Sequence, residues 1–289
     1  MFIFDYILSS RKNMKKKFDI SKLLTPLILI IVLSLTIMFI PQYVIYILPL
    51  ILIYFLYTRR YIVYAFQGSK AYGMKNFDYA LQRYRKSVQV SGCNGAIVTS
   101  YLIVEIKYGE SSLALDYINK NMNNKKLDEA TKYSMSVSKA IALWKEGMGL
   151  DSLNLLKDLL KDSENTYAYE TLTTLLIMNK NYNEALEYIK KGLEYNKDSN
   201  VLLSNEAEVY YKLGNYQKSE ELFKPLIDKK VKFAEPYYYT GLLAKERGER
   251  EKAIDLLEKV IDCNDSLLTT VSKEDAQEIL GALYDEEAK

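Results

Sequence analysis

The sequence predicts an all-α chain: an N-terminal transmembrane helical hairpin, then an α-solenoid of helix-turn-helix repeats, closed by a C-terminal capping helix. Three observations predict it. Of 289 residues only 12 are Gly and 5 are Pro, while Leu, Lys, Glu and Ala are abundant, a composition that favours helices over strands and turns. From Leu23 to Thr58 no charged residue occurs for 36 positions. Beyond that stretch, small residues recur at Ala80, Ala114, Ser152, Ala185, Ser219 and Ala253, with separations of 34, 38, 33, 34 and 34.

The chain opens on an apolar segment, Met1–Ser10, followed by Arg11, Lys12, Lys15, Lys16, Lys17 and Lys22. Residues 1–22 read as a basic cytoplasmic segment, and Met14-Lys-Lys-Lys is an alternative translation start to Met1. A helix rises about 1.5 Å per residue and the hydrocarbon core is about 30 Å thick, so the uncharged stretch exceeds one upright span. Pro41-Gln42 divides it into two spans, 23–40 and 43–57. Pro26 falls in the first turn of one, where its missing N–H is tolerated, and Pro49 is expected to kink the other. Basic clusters lie on both flanks, Arg11–Lys22 and Arg59-Arg60, and positive residues stay on the cytoplasmic side. Two crossings therefore place the repeats in the cytoplasm, at a bacterial cytoplasmic membrane. A single tilted span, leaving the repeats outside, and a cleaved signal peptide are the alternatives; no small-x-small cleavage site precedes Pro41. Tyr43, Tyr54, Tyr57 and Tyr61 suit the interface, and Tyr61, Val63, Tyr64 and Phe66 continue from the second span to hold the first repeat near the bilayer.

The clearest repeat is Asn205–Ile227. Ala207, Tyr210 and Tyr211 share one helical face; Gly214 and Asn215 make the turn; Tyr216, Ser219, Leu222, Phe223 and Leu226 resume the period. Small Ala207 and Ser219 let the helices approach, and Pro225 is expected to kink the second helix. The turn recurs as KNFDYA (75–80), KNYNEA (180–185), GNYQKS (214–219) and GEREKA (248–253). The first helices carry Gly68, Leu102, Ala140, Thr173, Ala207 and Gly241 at the matching place. Asn119–Asp128 is the best internal loop. Ser272 with Asp275 three residues on forms a helix-opening signature, and the helix it opens, 270–288, supplies the polar cap that a solenoid end requires.

This pattern resembles the tetratricopeptide repeat, a helix-turn-helix unit of 34 residues. The resemblance covers 61–267, as five to six repeats; the second and third are degenerate, and the usual closing proline is absent. It implies a groove lined by the first helix of each repeat. Carried over position by position, that groove consists of Tyr72, Ile103, Val137, Ile141, Trp144, Glu170, Thr174, Ile177, Glu208, Tyr211, Tyr238, Leu242 and Lys245. An apolar middle with a few carboxylates suits an extended or helical peptide with some basic character, and Trp144 and the tyrosines are the natural anchors. Packing between helices is the competing role for each. The Lys and Asn pattern of chaperone-binding relatives is missing: Ala65, Ser69, Thr99 and Ile103 stand there. No helix-turn-helix DNA reader precedes the repeats.

Charge and composition narrow the function. Residues 1–60 hold eight Lys/Arg against two Asp/Glu, and the remainder 31 against 35. The repeat region is mildly acidic, and nucleic acid is not its expected ligand. Histidine is absent, which removes the commonest general base and metal ligand. No phosphate loop, zinc spacing or nucleophile elbow occurs; Gly147-Met-Gly149 reads as a repeat turn. No catalytic, cofactor-binding or metal-binding residue is nominated. Cys93 and Cys263, far apart along the repeats, read as free thiols of a reducing compartment. The expected activity is that of a membrane-anchored protein–protein interaction scaffold, without small-molecule substrate or catalysis. An extracytoplasmic repeat protein held by one span, acting in envelope assembly or export, is the alternative.

Overall fold

The computed structural model describes residues 44–285, together with helical positions 27, 28, 30–32, 34, 35 and 38. The basic segment 1–22 lies outside the described residues, as do most of the first expected span, 23–40, and the last residues of the expected cap.

The second expected span coincides with α1 (Val44–Thr58), a 15-residue helix that runs through Pro49. It is uncharged and largely exposed: Leu50, Ile53 and Tyr57 are each more than 60% exposed. At 1.5 Å per residue it is about 22 Å long, short of the about 30 Å hydrocarbon core. Among the described residues no single helix is long and apolar enough to cross a membrane; Tyr46–Thr58 and Arg60–Gly73, bent by 48° between them, reach that length and composition together.

The rest is helical throughout, with no strand among the described residues. Two compact units divide at Ser138 and Lys139. The first holds α2 (Arg60–Gly73), α3 (Phe77–Val88), α4 (Gly95–Tyr108), α5 (Ser111–Asn121) and the start of α6 (Glu129–Lys145). The second holds the remainder of α6, α7 (Gly149–Asp162), α8 (Thr166–Met178), α9 (Tyr182–Tyr195), α10 (Asn200–Lys212), α11 (Tyr216–Asp228), α12 (Glu235–Glu246), α13 (Arg250–Asp262) and α14 (Lys273–Asp285). From α2 to α13 the helices form six hairpins, and α14 follows as a single helix.

Each hairpin is built on the small residues that the sequence spacing picked out. Ala80, Ala114, Ser152, Ala185, Ser219 and Ala253 are all completely buried, so the second helix of every pair presses its backbone against a neighbour there. The first helices answer with residues of little bulk. A methyl on Gly68 would stand 3.0 Å from the Tyr84 ring, and one on Gly241 3.0 Å from Leu257 Cγ. Leu102 departs from this rule and is itself fully buried, which accounts for the degenerate look of the second repeat. That repeat relies on other close approaches: a methyl on Gly95 would overlap the Thr131 side chain, and one on Gly109 the Glu105 carboxylate.

The turns inside five of the six hairpins repeat a single hydrogen-bond pattern. Asn76, Met148, Asn181, Asn215 and Glu249 each donate an N–H to the carbonyl five residues earlier, at Ala71, Leu143, Leu176, Tyr210 and Ala244. Such a bond closes a helix through one left-handed residue, and that residue is Lys75, Gly147, Lys180, Gly214 or Gly248, with φ between 58° and 81°. Each lies five positions before the buried small residue, so turn and contact share one register. Asn76 and Asn215 then cap the next helix, accepting the N–H groups of Tyr79 and Lys218. Pro225 leaves α11 unbroken to Asp228. Ser272 Oγ accepts the Asp275 N–H at 3.1 Å, the expected start of α14.

Ala185→Leu adds three carbons to a fully buried contact and is expected to cost about 1–3 kcal/mol. Chemical denaturation of the purified chain measures it, with Glu187→Leu at an exposed position as the control, where the expected change is within about 0.5 kcal/mol.

Candidate protein-binding surface

The positions nominated for a groove divide between the two units, and burial sorts them. In the first unit Tyr72 and Ile103 are half-buried, and Val137 is fully buried. Tyr72 meets Phe77 and Tyr108 edge-on, with ring centroids 5.6 and 5.9 Å away, while Phe77 and Tyr108 stack at 3.7 Å. One Tyr72 edge is thus held by a rigid aromatic pair. Below it the unit is fastened by an ion pair: Arg85 donates from Nε to Glu105 at 2.8 Å, and Glu105 is completely buried. Glu105 also accepts the Glu110 N–H. Those bonds raise the Arg85 guanidinium pKa further. A lone buried carboxylate would be strongly destabilising, so this pair fixes how α3 and α4 meet.

In the second unit Ile141 and Ile177 are buried to within 3%. Neither isoleucine, nor Val137 in the first unit, can touch a partner without repacking. Trp144 is half-buried, with the Gly149 backbone close to the edge of its ring. Glu170 accepts a hydrogen bond from Ser199 Oγ at 2.7 Å. Thr174 accepts one from Asn205 Nδ2 at 3.0 Å, and Thr173 accepts another from the same amide at 2.8 Å. Glu170 and Thr174 therefore help to lock α8 to α10.

Four nominated residues gather near the end of the chain. Tyr211 on α10 and Tyr238 on α12 both pack on Tyr239, at 4.7 and 5.4 Å between ring centroids, and Tyr216 adds a fourth ring 5.2 Å from Tyr211. Leu242 follows one turn after Tyr238, half-buried, and Lys245 lies exposed beyond it. Burial, with Glu246 nearby, pushes the Tyr211 hydroxyl up to about 12; burial also raises that of Tyr238. Both stay neutral donors at any physiological pH. The result is an aromatic shelf with a basic edge at Lys245, its rings held in place by one another.

Glu208 differs from its expectation as a groove carboxylate. It is completely buried, accepting the Tyr239 hydroxyl at 2.8 Å and Thr270 Oγ1 at 2.6 Å. Thr269 Oγ1 donates at 2.8 Å to the neighbouring buried carboxylate, Glu235. The α13–α14 connection is thus pinned over two acids. Burial raises the Glu208 pKa to about 7; the two hydroxyl bonds and Lys212 oppose that shift, and Glu235 adds to it. The sequence held no local signal for this arrangement, because Glu208 and Thr270 are 62 positions apart.

The two thiols are sheltered: Cys93 is half-buried and Cys263 buried, and burial raises both to about 11.

The family profile of the tetratricopeptide repeat matches residues 176–246, from the end of α8 through α12. That match takes in the left-handed turn residues Lys180 and Gly214 and the buried small residues Ala185 and Ser219. Residues 176–246 belong to the tetratricopeptide repeat family. No curated protein sequence matches it. Among solved structures it is similar to that of Pseudomonas aeruginosa pilF, at 17% identity over 69% of this chain and 90% of the other, with a TM-score of 0.50. A tetratricopeptide repeat protein from Parabacteroides merdae ATCC 43184 aligns at 18% identity over 78% of this chain and 98% of the other, with a TM-score of 0.46. MamA aligns at 17% identity over 70% and 90%, with a TM-score of 0.37. At these identities the likeness to the pilF structure is one of tetratricopeptide fold.

The raised pKa of Glu208 has a definite sign in stability. A carboxyl that binds its proton more tightly when folded stabilises fully below its unfolded value of 4.5. That contribution is lost as pH rises through about 7, by a total of about 3 kcal/mol. Glu208→Gln keeps an acceptor for Tyr239 and removes the charge. The variant is expected to melt above the parent chain at pH 8 and to lose much of the fall in melting temperature between pH 5 and pH 8, as measured by circular dichroism.

Proposed function

We propose that this chain is a non-catalytic scaffold that binds a partner protein through its repeats while its N-terminal segment holds it at a bacterial cytoplasmic membrane. The observation that carries the binding half is the aromatic shelf of Tyr211, Tyr216 and Tyr238 on buried Tyr239. Rings already fixed by their neighbours lose little freedom on binding, and tyrosine offers apolar area with a hydroxyl handle. With Leu242 beside them, Lys245 at one edge and Glu246 close by, they suit a peptide segment that brings an apolar anchor. The tetratricopeptide fold supports a protein partner in general terms.

The anchoring half draws on α1, which presents uncharged apolar side chains on every side. Water is a poor solvent for such a helix, and a patch of that extent marks a lipid or protein contact. The basic residues flanking the uncharged stretch favour placing the repeats in the cytoplasm.

Two experiments test the halves separately. Truncating an anchor residue costs an interface about 2 kcal/mol, or about thirtyfold in affinity. Trp144→Ala with Tyr211→Ala is therefore expected to release the co-purifying partner while keeping the helical circular dichroism spectrum; a folded double variant that retains every partner defeats the groove reading. For topology, the native thiols are too sheltered to report well. Lys120→Cys, on an exposed side chain, is expected to resist a membrane-impermeant maleimide in intact cells and to react after permeabilisation. Labelling of intact cells would move the repeats outside, to the envelope role.

A further inference from the structure

Helix α2 is amphipathic in an unusual sense. Its inner face buries Tyr61, Gly68 and Ala71, with Ser87 Oγ of α3 donating to the Tyr61 carbonyl at 2.7 Å. The opposite face should be polar if water covered it. Instead Ile62, Val63, Phe66 and, immediately after the helix, Met74 are 48%, 54%, 70% and 68% exposed. They follow the helical period from Arg59 and share the outer stripe with Ser69 and Lys70. The charge on this region has one sign: no acidic residue occurs between Asp19 and Asp78. At the bend into α2, the Arg59 guanidinium lies 5.4 Å from the Phe55 ring centroid and that of Arg60 4.0 Å from the Tyr57 ring. Arg60 also donates to the Tyr57 carbonyl at 2.7 Å.

We propose that the outer face of α2, from Arg59 through Phe66 to Lys70, lies in the headgroup boundary of an anionic lipid leaflet, so that the first helix of the first repeat is itself a membrane-surface element. An apolar stripe edged by cations, with tyrosines and arginines at one end, matches the chemistry of that boundary. The stripe also continues directly from the apolar surface of α1. A second copy of this chain would gain little from the stripe's charge, since like would face like. The inference deepens the anchored reading by giving the lipid contact a second component beyond α1. It holds the first hairpin against the bilayer, with the edge of α2 that meets α3 turned away from it.

The test uses the full chain with Cys93→Ser, Cys263→Ala and Phe66→Cys, labelled with a nitrobenzoxadiazole fluorophore and placed in vesicles of phosphatidylglycerol and phosphatidylcholine. Lys120→Cys on the same background is the comparison. The probe at 66 is expected to shift its emission to the blue and to be quenched by lipids carrying a nitroxide near the headgroup, more strongly in phosphatidylglycerol than in phosphatidylcholine alone. The probe at 120 is expected to behave as in water. Water-like emission at 66 overturns the proposal. A blue shift without lipid quenching also overturns it, showing the stripe covered by protein. Alkaline carbonate washing reports the anchor separately: a chain that is stripped off yet quenched at 66 would retain the surface contact and lose the spanning anchor.

Discussion

The repeats depend on how closely two helices can approach. Dispersion falls off so steeply that a gap of even half an ångström loses much of the contact, and in each hairpin the gap is closed by a small residue with no exposed surface. Ala185 and Ser219 bring backbones together, and the longer side chains on either side then interdigitate. Lys180 and Gly214 stand five residues earlier in the turns, each in the left-handed region that ends a helix. Because turn and contact keep this offset, each second helix arrives with its small residue already opposed. Lysine in that conformation is strained where glycine is not, so the packing it permits must outweigh the strain.

Polar groups give the stack a register that apolar packing alone would leave loose. Asn205 binds Thr173 and Thr174 together, Ser199 reaches Glu170, and Glu105 holds Arg85. Each would cost more to leave unpaired than it gains when satisfied, so a shift of one helix along its neighbour is penalised at several points at once. Two of these groups, Glu170 and Thr174, stood among the residues nominated for the groove, as did the buried Glu208. Their polarity serves the scaffold, and the surface left for recognition is correspondingly more aromatic than the family pattern implied.

The sequence made the hairpins legible because their determinants are local and periodic: a small residue every 33 to 38 positions, a turn of fixed offset and an Asn cap. Leu102 hid the second repeat, since a large residue stands where the pattern needs a small one, and the compensation lies in Gly95 and Gly109, whose neighbours only the fold reveals. Pro225 lies inside α11, which continues past it to Asp228. The Glu208 latch was not legible at all: Tyr239 and Thr270 come from later elements, and nothing near Glu208 announces a carboxylate destined for the interior. Tyr239, the buried ring beneath the shelf, was missed because its neighbour Tyr238 occupied the expected groove position.

The same latch bears on recognition. Tyr239 is at once the ring on which Tyr211 and Tyr238 pack and the donor that helps to hold Glu208. Its hydroxyl is fixed from below and its ring presses the shelf from within, so the half-buried Tyr211 and Tyr238 inherit their positions from a buried hydrogen bond. Thr270 closes the other side of that carboxylate from the segment leading into the capping helix. A contact at the end of the chain thereby supports a surface displayed by α10 and α12. Rigidity of this kind favours partners that fit the rings as they stand, because a loose surface would give up part of any binding energy in ordering itself.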